Sequence, residues 1–227
     1  MREIFNQILG QLAPYRAKLV AVSKTHPATA ILDLYALGQR KFGENKVQEL
    51  VPKYEQLPKD IEWHVIGHLQ RNKVKYIAPF AAMIESVDSL ELLIEINRQA
   101  EKYSRVIPCL LQFHIAQEST KFGLSLEEAQ QILCSETFRN MGNVRMAGVM
   151  GMASFSDDHD QVRGEFRKLR KIFEALKATF FAADPGFCEI SMGMSSDYPM
   201  ALEEGATLVR IGSLLFGERD YETGPAT

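Results

Sequence analysis

Cysteine is scarce: the chain has three, Cys109, Cys134 and Cys188, and none forms a CxxC pair. That spacing argues against a zinc ribbon or a disulfide framework and fits a reducing compartment. No apolar run is long enough to cross a bilayer. Residues 1–9 mix polar and apolar side chains at helical spacing, without the continuous apolar block of a signal peptide. A cytoplasmic protein with no membrane partner is therefore expected. A basic excess is missing too: 26 Lys and Arg face 29 Asp and Glu, a net charge of −3. That argues against a general nucleic-acid surface. No Ser/Gly linker, internal repeat or low-complexity segment divides the 227 residues, so residues 1–227 read as one domain.

Short β-branched runs alternate with longer helical stretches. Strands are expected over 19–23, 41–43, 63–67, 83–87, 107–113, 144–149, 188–192 and 208–211. Helices are expected over 28–37, 46–56, 70–78, 89–103, 126–133, 157–178 and 198–204, after an extra N-terminal one. Ser125 with Glu128 reads as a capping box. Gly38 and Gly205 sit where helices should stop, and Pro52 should kink or break the second helix of that series. Strand–helix alternation implies βαβ units and a parallel sheet. An open doubly wound sheet would carry a Gly-rich turn after its first strand. Here that turn is Lys24-Thr25-His26-Pro27, and the Gly-Ser turns follow the last two strands instead. The fold class expected is thus α/β, a single (β/α)8 TIM-type barrel.

In such a barrel the residues just past each strand face one mouth. They are Lys24, Glu44, Asn45, His64, Gly67, His68, Ser86, Met150, Gly151, Ser191 to Gly193, Met194, Ser195, Ser196, Arg210, Ile211, Gly212 and Ser213. A half-buried amine at Lys24 would be a competent nucleophile toward an aldehyde, although most lysines after strands are merely solvated. The turns Ser191–Ser196 and Arg210–Ser213 offer converging N–H and hydroxyl groups to an anion; helix capping alone would also account for the first. Pyridoxal 5'-phosphate (PLP) carries both an aldehyde and a phosphate. A cofactor-free aldolase taking a phosphorylated sugar on Lys24 is the weaker alternative. His64 and His68 have HxxxH spacing, but on a strand running into a loop rather than on one helical face, so no metal is expected. His26, His114 and His159 read as surface or rim residues, and the basic clusters at 73–75 and 167–171 as solvated helix faces.

Residues 19–25, 42–49, 63–73, 85–88, 121–123, 148–152, 191–197 and 210–217, in that order, resemble the pyridoxal-phosphate homeostasis proteins, which look like the alanine racemase barrel domain standing alone. The resemblance implies that Lys24 holds PLP as a Schiff base. It implies a phosphate site of Ser195, Ser196, Gly212 and Ser213 with the Met194 backbone. Arg210 would face the pyridine nitrogen and Asn45 the phenolic side of the ring. His114 departs from the family, which usually has Asn in that segment.

A cation beside the pyridine nitrogen disfavours ring protonation and weakens the electron sink. Racemisation also needs acid/base groups on both faces of the substrate carbon. In alanine racemase one of them comes from a second domain of a partner subunit, and no such domain is expected here. The function implied is PLP binding in cofactor homeostasis, by buffering, carrying or delivering PLP, with little or no turnover. PLP-dependent apoenzymes would be the recipients and the protein a monomer. The runner-up is a PLP-dependent amino-acid racemase.

Overall fold

The computed structural model describes residues 1–117 and 122–217; Lys121, part of one matching stretch, lies outside them. Eight parallel strands close into a barrel in chain order. They are β1 (Lys18–Val22), β2 (Lys41–Glu44), β3 (Glu62–Val65), β4 (Met83–Val87), β5 (Ile107–Phe113), β6 (Val144–Gly151), β7 (Glu189–Ser191) and β8 (Leu208–Ile211). Helix α1 (Arg2–Leu12) precedes them. The connections carry α2 (Ala28–Ala36), α3 (Val47–Gln56), α4 (Val74–Ile77), α5 (Leu90–Lys102), α6 (Leu126–Cys134), α7 (Glu136–Arg139), α8 (His159–Phe180) and α9 (Tyr198–Glu203), and α10 (Ser213–Phe216) follows β8. None of the described helices is long and apolar enough to cross a membrane.

Two apolar clusters follow from the alternation of side chains along each strand. The larger lies between barrel and helices, where Phe42, Trp63, Phe166 and Phe187 are fully buried. The smaller fills the barrel with Val20, Leu110, Ala147, Met150 and Leu208, joined by the partly buried Met83 and Met152. Two residues further along their strands, Met83, Leu110 and Leu208 give way to Glu85, Gln112 and Arg210, all buried. A polar layer thus sits on an apolar one, toward the C-terminal mouth. Closure depends on β8 returning to β1, in register from Lys18↔Leu208 to Ala21↔Ile211. It also depends on Gly148, where a Cβ would lie 1.8 Å from the Glu189 carbonyl oxygen.

Ser125 and Glu128 form the capping box at α6, a motif of about 1 kcal/mol. Gly38 and Gly205 end their helices with φ of 101° and 98°. α3 runs through Pro52 without a break; the cost of an interior proline is set against the burial of Leu50 and Lys53 on either side of it. The helix expected over 70–78 is instead a 3-10 turn, Arg71–Lys73, leading into the one-turn α4. β6 extends to Gly151 because it pairs with β5 as far as Phe113↔Gly151.

Candidate functional site

At the C-terminal mouth lies a cavity of about 540 Å³. It is lined by Lys24 from the β1–α2 turn, Asn45 after β2, Met194, Ser195 and Ser196 after β7, and Arg210, Gly212 and Ser213 at the end of β8. All eight residues singled out as site candidates therefore meet in one place. Lys24 and Asn45 are half-buried, as are Met194 and Ser195; Ser196 and Ser213 are exposed. The two Gly-Ser turns are tied together, since the Gly212 N–H donates to Ser195 Oγ at 3.3 Å. The Met194 N–H donates to Asp197 Oδ1 at 2.5 Å. Asn45 is held by the close passage of Gly67, where a Cβ would come within 2.7 Å of the Asn45 carbonyl oxygen.

Arg210 reaches the cavity from the polar layer and is only 4% exposed. Its Nη2 donates to the Gly151 carbonyl at 2.9 Å and its Nη1 to Ser191 Oγ at 2.5 Å. Ser191 in turn donates to Glu85 Oε2 at 2.5 Å, and Glu85 Oε1 lies 2.6 Å from His64 Nδ1. Burial pushes the Glu85 carboxyl up, but the hydrogen bond and charge of His64, the charge of Arg210 and the Ser191 hydroxyl outweigh it, so its pKa falls below the usual range. Burial lowers the Arg210 pKa, with Glu85 and Asp197 opposing. Guanidinium remains charged nonetheless. His64 is thus a buried member of this chain rather than a lining residue of the mouth.

The turn that carries Lys24 is unusual. Thr25 has φ of 69°, a left-handed conformation that is strained for a β-branched residue. Its N–H donates to Glu49 Oε2 at 2.8 Å and its hydroxyl to the Lys24 carbonyl at 2.5 Å. On the other side of Lys24, the Ser23 carbonyl accepts from Lys53 Nζ at 2.8 Å. Glu44 Oε1 takes both Lys53 Nζ and Ser23 Oγ at 2.6 Å. Burial raises the Glu44 pKa, with Lys53 opposing.

Aromatic rings surround the opening. His68 stacks on Phe122 at 4.6 Å and lies 3.1 Å from Asp88 Oδ2; His26 stacks on Phe216 at 4.8 Å. Phe155, also a lining residue, is 91% exposed. His26 and His68 are hence part of the site wall, whereas His114 lines a separate cleft against α8.

Strand ends alone do not reveal the Glu44–Lys53 pair, the Glu49 contact or the Glu85–Ser191 link. One signal was present: Glu85 stands in an otherwise apolar or small strand, Met83–Val87, and a carboxylate buried there demands partners. The contacts from α3 had no signal, because Lys53 and Glu49 sit at ordinary i,i+4 helix spacing.

A family model described as alanine racemase, N-terminal domain, matches residues 5–220. A pyridoxal phosphate homeostasis protein of Aquifex aeolicus is 42% identical over 206 residues, covering 90% of this chain and 88% of that one. PipY of Synechococcus elongatus, in a structure with PLP bound, superposes with a TM-score of 0.85 at 35% identity, over 95% of this chain and 99% of that one. An alanine racemase of Clostridium difficile superposes with a TM-score of 0.72 at 12% identity, over 97% of this chain and 58% of that one. At that identity the likeness concerns the barrel alone.

Proposed function

The chain belongs to the alanine racemase N-terminal-domain family and within it to the pyridoxal phosphate homeostasis proteins, and from that premise we propose that it binds PLP to buffer, carry or deliver it. What supports this is one cavity with an amine on one wall, a Gly-Ser double turn on another and a buried guanidinium behind them. That donor set fits the cofactor: an amine for its aldehyde, and hydroxyl and N–H donors for its phosphate. PLP supplies the aldehyde and, in enzymes, a ring that stores electrons.

In this reading Lys24 bears the covalent link. Ser195, Ser196, Gly212 and Ser213, with the Met194 backbone, hold the phosphate. Asn45 orients the phenolic side. Arg210, fixed by Ser191 and the Gly151 carbonyl, opposes protonation of a pyridine nitrogen seated against it. The chain's own groups therefore favour holding the cofactor over using it. Residues 1–227 act as one binding unit, as a monomer in the cytoplasm, and PLP-dependent apoenzymes are the recipients.

Reduction of the protein–PLP mixture with borohydride, followed by peptide mass analysis, tests the assignment. A phosphopyridoxyl group is expected on Lys24, and Lys24→Ala should lose both this adduct and the visible band of the bound cofactor. A surviving band, or an adduct confined to another lysine, overturns it. The second reading, an amino-acid racemase, draws on the His68–Asp88 pair at the cavity wall, an available acid/base group. Rapid α-deuterium incorporation into a single-enantiomer amino acid in deuterated water would favour it.

A further inference from the structure

Resting on the reading that Lys24 carries the cofactor, we propose that Glu49 and Lys53 of α3 are positioning residues that clamp the backbone on both sides of Lys24. Two peptide units meet at the Lys24 Cα, and each is gripped by one of these side chains. The unit before it offers the Ser23 carbonyl, which takes Lys53 Nζ at 2.8 Å. The unit after it offers the Thr25 N–H, which donates to Glu49 Oε2 at 2.8 Å. The two grips stand one helical turn apart, with Lys53 Nζ 3.9 Å from Glu49 Oε2.

The clamp is anchored from behind. Glu44, 1% exposed at the end of β2, holds Lys53 Nζ and Ser23 Oγ on the same oxygen, each at 2.6 Å. An ordinary i,i+4 pair serves only its own helix; this one reaches across to a turn between other elements. The turn needs such a hold, because Thr25 sits at φ 69°, a backbone state that persists only where its surroundings over-determine it. Released, Thr25 would relax toward negative φ and swing the Lys24 side chain relative to the Gly-Ser turns. A covalent link between a fixed phosphate site and a displaced amine forms less readily, since attachment depends on the geometry being set beforehand.

The test compares wild type, Glu49→Ala, Glu49→Gln and Val51→Ala. Val51 packs on the core from the same helix, and the two hydrogen bonds that grip the turn come from Glu49 and Lys53 instead, so Val51→Ala controls for general weakening of α3. Equilibrium dialysis with PLP gives affinity, borohydride trapping with mass analysis gives the site, and amide exchange of the protein without PLP reports the Thr25 N–H. Glu49→Ala should weaken PLP binding roughly tenfold, the scale of a lost charge-assisted hydrogen bond, with faster Thr25 exchange. Glu49→Gln keeps an accepting oxygen and should stay within about threefold of wild type. Val51→Ala should lower the melting temperature and leave affinity unchanged. If Glu49→Ala binds PLP on Lys24 as tightly as wild type, or if Val51→Ala loses as much affinity, the clamp is overturned. If wild type itself forms no adduct at Lys24, the underlying cofactor assignment fails instead.

Discussion

Arg210 and Glu85, both buried in the barrel, are joined through one hydroxyl: Ser191 Oγ stands 2.5 Å from Arg210 Nη1 and 2.5 Å from Glu85 Oε2. The serine accepts from the cation and donates to the anion, so the charges are linked without touching. The carboxylate fixes the serine proton, the serine fixes the guanidinium, and the guanidinium faces the cavity. His64, on the other oxygen of Glu85, completes the chain.

This arrangement sets a sign for stability against pH. The Glu85 carboxyl lies below its usual range in the folded protein, against roughly 4.3 for an unfolded glutamate. Between those two values the unfolded state binds more protons, so stability rises with pH across the window. The contribution is fully present above about pH 4.3 and is lost as the pH falls through the folded value. Glu44, raised by burial, works in the opposite sense. Urea denaturation across the acid range should show a steeper loss for wild type than for Glu85→Gln. Parallel slopes would refute the assignment.

Gly67 is expected to act on Asn45. A methyl group at position 67 would sit 2.7 Å from the Asn45 carbonyl oxygen and 2.8 Å from its Cα, both backbone atoms that cannot step aside cheaply. Gly67→Ala should therefore displace Asn45, cost about 1–3 kcal/mol by overpacking and weaken PLP binding. Calorimetry and PLP titration check the two effects. Unchanged affinity would remove Asn45 from the site.

The thiols should separate by burial. Cys109 is fully buried and its pKa is pushed well up by desolvation, whereas Cys134 and Cys188 are exposed. Thiolate is the reactive form. An aromatic disulfide reagent should titrate two thiols in the native protein and the third only on unfolding. Three fast thiols would show that β5, which carries Cys109, opens readily.

The sequence was most legible where one residue type has one structural use. Alternation of apolar runs placed all eight strands, and the strand ends named the residues that meet in the cavity. Lys24, Arg210 and the Gly-Ser turns could be read because they interrupt apolar strands at their ends. Less legible were groups whose role comes from distant partners. Glu49 looks like any exposed helix acid until Thr25 is folded against it. Ser191 looks like part of a phosphate turn, yet it points inward to Glu85. Such roles depend on the relative rotation of neighbouring elements, which no local pattern encodes.

The pairing of β8 with β1 has a consequence for synthesis. Lys24 leaves the ribosome long before Arg210 to Ser213, and the Lys18–Ala21 pairing with Leu208–Ile211 brings them together. A growing polypeptide thus lacks a complete place for the vitamin until its eighth strand has emerged. Fragments cut short before the eighth strand should emerge colourless, however well their first seven strands are made.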